Sequence, residues 1–357
     1  MMSRISRREM LKVGALGCGL TLSNYLQLHA SEPALTQKRS AIFIFLEGAP
    51  SHQDTFDLKP DAPVDVRGEF RPISTNVSGI QICEHLPQIA KNMHHLAVIR
   101  SMSTQEADHG RGRYYMHTGY VPNPNMEHPS YGSVISHELM DGRSDLAIPP
   151  FVSVGGSSVG PGFLGMAYAP FVVNSNGNIK NLKMGKDGDR LAKRMAALNL
   201  IETGFIRQNR GTAGADHAKV LDKTLSLMTS EQMKAFKVRE EKTEVQERYG
   251  DNNFGRGCLM ARRLVEAGVP FVEVDLGGWD NHSNIFPTLQ DNKLPVVDQA
   301  MSALIEDLEQ RERLDDTAII WMGEFSRTPR INGNTGRDHW ARSWSVVLGG
   351  AGMKGGI

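Results

Sequence analysis

The tightest constraint on this chain is the run Ala41-Ile42-Phe43-Ile44-Phe45-Leu46, which closes on Glu47-Gly48-Ala49-Pro50. An unbroken apolar run does not suit a strand with one wet face. It fits a strand buried on both sides, as in a parallel sheet covered by helices. Leu96-Ala97-Val98-Ile99 reads the same way after a short helical stretch near 86–93, as do residues 270–274, 317–322 and 344–348. Between them lie two helical patterns. Residues 254–267 place Leu259, Met260, Leu264 and Val265 on one face, with Gly268 as the expected cap. Residues 294–312 repeat Val297, Ala300, Leu304 and Leu308. Strand alternating with helix predicts crossover units and an α/β fold with a mostly parallel sheet.

The remaining segments differ in character. Residues 187–250 are charged, helix-prone and nearly free of Pro, which predicts a helical insert or cap. Residues 155–178 are rich in Gly, Ser, Pro and Asn and are expected to form a long surface loop. The last ten residues, a strand followed by glycines, read as a mid-domain turn. A truncated fold is therefore expected, with its final strand left on an open sheet edge.

The N-terminus predicts export. Ser6-Arg7-Arg8-Glu9-Met10-Leu11-Lys12 sets two arginines ahead of an apolar segment, about 13–28, that ends on Leu28-His29-Ala30-Ser31. Charged head, apolar middle and small-residue exit describe a twin-arginine signal peptide over residues 1–30. The segment is too short and too polar for a stable span, which needs ~20 apolar residues. Cleavage leaves a protein of the periplasm or the extracellular space, with the twin-arginine translocase as its export partner. A lipid anchor at Cys18 is the variant form, and Ala15 suits it poorly. Lys plus Arg and Asp plus Glu both number 40, so net charge is zero and no basic block favours nucleic acid. Cys83 and Cys258 remain after cleavage, too few for a disulfide framework, so stability must come from a core.

Polar residues gather where the expected strands end: 51–57, 277–282, 323–329 and 336–340. In open parallel sheets, sites form beyond the carboxyl ends of strands. Asp54, Asp280, His282, Asp338 and His339 have the chemistry of a divalent metal centre. Mixed Asp and His donors suit zinc, manganese or iron, and carboxylates alone would suit magnesium or calcium. Asp280 and His282 are two apart, so an extended loop turns them to one side. Arg327 and Arg337, among glycines at a strand end, fit oxyanion binding. Each also has a plainer reading: Asp54 as a turn cap, the arginines as surface charges, the Asp-His pairs as turns with a hydrogen bond. A second constellation, residues 108–119, brings His109, Arg113 and His117 together with three glycines. It fits either a ligand-facing segment or a solvated loop entering a helix. A phosphate-binding Gly-x-x-x-x-Gly-Lys loop is missing.

These segments carry a resemblance. Gly48-Ala49-Pro50-Ser51-His52-Gln53-Asp54-Thr55-Phe56-Asp57, Arg67-Gly68-Glu69-Phe70, Asp108-His109-Gly110, the stretch 261–268, Gly277-Gly278-Trp279-Asp280-Asn281-His282, Gly323-Glu324-Phe325-Ser326-Arg327-Thr328-Pro329 and Gly336-Arg337-Asp338-His339-Trp340 resemble the domain-of-unknown-function 1501 family from about residue 40 onward. That family is similar to the alkaline phosphatase and sulfatase superfamily, whose fold is a three-layer α/β/α sandwich with metals at the strand ends. The resemblance implies Asp54 as the early metal ligand, Asp280 and His282 as the middle pair, and Asp338 and His339 as the late pair. No nucleophile carries over; Ser101, Ser103 and Thr104 are candidates, with His109 close by as a catalytic group. Asp280 and His282 lie closer together than the superfamily pair, and no His follows His339. The resulting expectation is a metal-dependent hydrolase of phosphate or sulfate esters, acting on a small molecule or polysaccharide outside the cytoplasm. Arg327 or Arg337 would offset charge on the departing group. The alternative is a non-catalytic exported binding protein that keeps the hydrolase fold.

Overall fold

The computed structural model describes residues 39–139, 143, 145–156, 158–177, 193, 197, 203–204 and 230–357. The expected signal segment, Cys18 and most of the expected helical insert lie outside the described residues. Strands β1 (Ser40–Phe45), β2 (Pro72–Ser74), β3 (Gln81–Cys83), β4 (Leu96–Met102), β5 (Phe151–Val154), β6 (Phe171–Val173), β7 (Phe271–Asp275), β8 (Thr317–Met322), β9 (Ser326–Arg327), β10 (His339–Trp340) and β11 (Trp344–Gly349) alternate with helices. The helices are α1 (Val64–Arg67), α2 (Pro87–Lys91), α3 (His109–Thr118), α4 (Tyr131–Leu139), α5 (Thr243–Tyr249), α6 (Asn253–Glu266), α7 (Ile285–Thr288) and α8 (Leu294–Gln310).

The main sheet has the order β4-β11-β8-β1-β7-β5-β6. Strands β8, β1, β7, β5 and β6 run parallel, and β11 runs antiparallel to both β8 and β4. The chain therefore has an α/β fold on a mixed sheet whose larger part is parallel. The unbroken apolar run explains its centre. Along β1, Ile42 and Ile44 face a core shared with α6 and α8, while Ala41, Phe43 and Phe45 face a second core with Met116 of α3. A strand packed on both faces has no solvated side to supply polar residues.

Two expectations change. The last strand, β11, is not an open edge: it lies between β8 and β4 and pairs with both, because its antiparallel run lets it enter beside β8 without a crossover helix. The segment expected as a surface loop contributes edge strand β6, parallel to β5, between 3-10 turns Gly162–Leu164 and Met166–Tyr168 and the end of the segment. Three residues are too few to show a period, so β6 was invisible to patterning. Of the expected insert, the described part holds 3-10 turns Glu231–Phe236 and Val238–Glu240, followed by α5. Helix α6 begins where the Asn252 side chain accepts from Gly255 N at 2.8 Å, and Gly268 takes a φ of 96° just beyond its end. Among the described residues, no helix is long and apolar enough to cross a membrane.

Candidate metal centre

The carboxyl ends of β1, β7 and β8 lie side by side, and the loops that follow them meet because two glycines let backbone touch backbone. Gly48, at a φ of 105°, sits so close to the next loop that a Cβ there would lie 2.5 Å from Asp280 N. A Cβ on Gly336 would overlap the backbone of His282. The two-residue ladder of β9 and β10 then sets His339 opposite Arg327. Helix α3 starts after β4, whose carboxyl end points to the same rim, and places His109 as its first residue. The Asp108 side chain caps it by accepting from Arg111 N at 3.0 Å.

Three imidazoles converge on one carboxylate oxygen. Asp280 Oδ1 lies 2.9 Å from His282 Nε2, 3.3 Å from His109 Nε2 and 3.4 Å from His339 Nε2. The ring nitrogens on the far side are all taken. His109 Nδ1 donates to Glu324 Oε1 at 2.5 Å, His282 Nδ1 to Asp338 Oδ1 at 2.8 Å and His339 Nδ1 to the Ala107 carbonyl at 2.6 Å. A carbonyl or a carboxylate can only accept, so each ring carries its proton on Nδ1 and turns the Nε2 lone pair inward. His282 Nε2 and His339 Nε2 stand 3.2 Å apart, and buried His109 Nε2 has no hydrogen-bond partner. Lone pairs aimed at one another with no proton between them describe a cation site. Ligating histidines keep a carboxylate or carbonyl on the second nitrogen in this way. His109, Asp280 and His339 offer ligand atoms that all lie within 4.8 Å of one another.

Burial works against the Asp280 carboxylate, but the Arg327 guanidinium, with Nη2 at 2.7 Å, outweighs it and holds the group below its ordinary range. The hydrogen bond that His109 donates to Glu324 raises it above the usual histidine value. Glu324 is fully buried; its Oε1 also accepts from Gly48 N at 2.9 Å, while Oε2 has no partner. Asp280 and His282 keep 45% and 46% of their side-chain surface, so the cluster is open to a ligand from solvent.

Of the residues singled out from sequence, Asp280, His282, His339 and His109 come together. Asp338 stands behind His282, and Asn332 Nδ2 also donates to its Oδ1 at 3.1 Å. Asp54 lies elsewhere: it is fully buried, and both its oxygens accept from Arg337, at 2.8 and 3.0 Å. Arg337 spends its other donors on Gln53 Oε1 and on the carbonyls of Thr328, Pro329 and Val66, which leaves no free N–H on a buried side chain. Arg327 donates to the Ala49 and Gly48 carbonyls and pairs with Asp280, and only Nη1, 3.4 Å from His282 Nε2, is turned toward the cluster without a firm bond. Thr104 Oγ1 accepts from Glu106 N at 3.1 Å. Sequence reasoning passed over Glu324. The available signal was an acidic residue directly after a Gly at the end of a buried strand.

The second constellation proves to be one face of α3. His109, Arg113 and His117 are spaced one turn apart, and each meets an acid from the sheet rim. Arg113 pairs with Glu47 and Asp275 at 3.0 Å and with Glu273 at 3.5 Å, and His117 Nε2 meets Glu273 at 3.0 Å. This face accounts for residue types that fitted either a ligand-facing segment or a solvated loop entering a helix.

The profile of a family described as protein of unknown function (DUF1501) matches residues 38–357. No curated protein matches the chain.

Proposed function

We propose that this chain, which belongs to the DUF1501 family, is an exported metal-dependent hydrolase of phosphate or sulfate esters, built on an alkaline-phosphatase-like sandwich. The observation that carries the metal reading is the set of three histidine Nε2 atoms around Asp280 Oδ1, each ring fixed through Nδ1. Three nitrogens and one carboxylate suit zinc, iron(II) or manganese better than magnesium or calcium. A divalent cation held there supplies Lewis acidity to an ester oxygen and acidifies water near neutral pH.

The residues of the chain have distinct tasks in this reading. His109, Asp280, His282 and His339 hold the ion. Glu324 and Asp338 fix the rings of His109 and His282 and make them better donors. Arg327 anchors the Gly48–Ala49 backbone to Asp280, and its Nη1 is the group placed to meet an ester oxygen. Arg337 and Asp54 brace the loops from beneath and do not reach the reacting atoms. The Arg7-Arg8 segment supports export by the twin-arginine route to the periplasm or beyond. Export of a folded protein would let the metal be chosen before secretion.

The full engagement of Arg337 favours a second reading, a non-catalytic exported binding protein that keeps the metal. Elemental analysis and turnover of aryl phosphates and aryl sulfates separate the cases. The purified mature protein is expected to hold about one ion per chain at this site, lost in the Asp280→Asn, His339→Ala double variant. Asp338→Asn should retain the ion with affinity lowered by about 10- to 100-fold, as for an outer partner of a ligating histidine. Equal metal in parent and double variant defeats the metal centre. Metal without chelator-sensitive turnover of either ester class supports the binding protein.

A further inference from the structure

The described residues contain one more group of donors with no part in the rim site. His94 and His95 close the 3-10 turn Met93–His95 that leads into β4, and Glu309 lies in the last turn of α8. Since β11 is antiparallel to both β4 and β8, β4 runs in the same sense as the parallel strands. Its amino end, and this group with it, therefore sits at the opposite end of the sheet from Asp280.

We infer that His94, His95 and Glu309 form a second divalent-metal site, selective for zinc-like ions, that ties the start of β4 to the end of α8. One ligand atom from each residue lies within 4.8 Å of the other two. His95 Nε2 is 3.1 Å from Glu309 Oε1, yet it is closed off from solvent and completes no hydrogen bond. The His94 and His95 rings lie 3.8 Å apart between centroids, tilted by 40°, so the two adjacent side chains fold to the same side. Asn76 packs its side-chain amide against Nδ1 of His94. The Asn76 amide nitrogen donates to that Nδ1 and to the Lys91 carbonyl, and its Oδ1 accepts from His94 N at 3.2 Å, so ligation through His94 Nε2 displaces the amide from Nδ1. The carboxyl end of α8 adds negative potential at the spot. Two imidazoles and one carboxylate on an exposed edge leave room for water to complete a zinc coordination shell. Its consequence is mechanical: an ion there bridges two elements that are otherwise joined through packing and the Asn92 to Glu306 hydrogen bond of 3.0 Å. An ion that binds only the folded chain raises its stability.

Calorimetric titration with zinc, run on the Asp280→Asn, His339→Ala protein, isolates this site from the rim site. One equivalent should still bind and raise the melting temperature. E309Q and H95A, each added to that background, should weaken the binding at least tenfold and remove the thermal shift. Glu309 is exposed, so E309Q keeps the test open if H95A fails to fold. No binding in the double variant, or binding that neither substitution weakens, overturns the proposal. In the otherwise unaltered chain, E309Q should leave the rim ion in place, so failure of one site is distinguishable from failure of the other.

Discussion

Arg337 shows how a residue that looks like an oxyanion binder can be something else. Its guanidinium is buried and forks onto both oxygens of buried Asp54, and its remaining donors cap three carbonyls. A charge pair out of water is weak evidence for stability, but removing one partner strands the other. Arg337→Met should therefore cost about 3–5 kcal/mol in urea unfolding. Adding Asp54→Asn to it should recover part of that loss. If the double variant is no more stable than Arg337→Met, the two groups are not coupled as described. The same residue-scale logic separates Asp280 from Asp338. Both are exposed aspartates beside His282, yet one faces the inward Nε2 and the other holds the outward Nδ1.

At the scale of elements, the site depends on loops that follow three different strands and touch through glycine. Gly336 lies against the backbone of His282 and Ser283, so Gly336→Ala must push the His339 segment away from the Asp280 segment. The neighbour is backbone and cannot swing aside, which is the costly form of overpacking, typically about 1–3 kcal/mol. Metal affinity should fall at least tenfold while the far-ultraviolet circular dichroism of the sheet and helices stays unchanged. Unaltered affinity would mean that the loops can part without moving the ligands. The ladder between β9 and β10 explains why so short a hairpin matters: it sets the register of His339 against Arg327, and a slip of one residue would turn the ring to the other side.

At the scale of the whole molecule, two buried groups shifted in opposite directions shape stability against pH. Burial pushes His52 down to about 4, where Nδ1 donates to Ser326 Oγ at 2.6 Å. Unfolded, it titrates at its ordinary 6.5, so the folded state is penalised progressively as pH falls from 6.5 to 4. Burial, with Glu273 beside it, pushes Asp275 up to about 7 from an ordinary 3.8. There the unfolded chain releases its proton first, and stability is lost as pH rises from 4 to 7. Relative to the parent, His52→Asn should gain stability on acidification through the first window, and Asp275→Asn should gain it on alkalinisation through the second. Thermal melts of the three proteins across pH 4–8 read both slopes; difference curves of the same sign would contradict the assignment.

The fold was legible in the sequence wherever one local pattern had one physical solution. The run 41–46 demanded burial on both faces, and the pleat divided it between two cores; the helical periods of α6 and α8 marked the elements that fill one of them. The grouping of Asp280, His282 and His339 at the strand ends was also legible, because carboxyl ends of parallel strands share a rim. The partner of each donor was not. Whether an aspartate faces an ion, a histidine or an arginine depends on contacts between residues 56 and 283 positions apart, as Asp338 and Asp54 illustrate. Nor could patterning place β11 between two strands or find β6, since strand order is settled by the packing of the assembled sheet. The sequence by itself determined which stretches must be buried and which polar residues sit at their ends. Only the tertiary structure decided which nitrogen meets which oxygen, because hydrogen bonds and metal ligation act over about 3 Å, a distance that local periodicity cannot resolve.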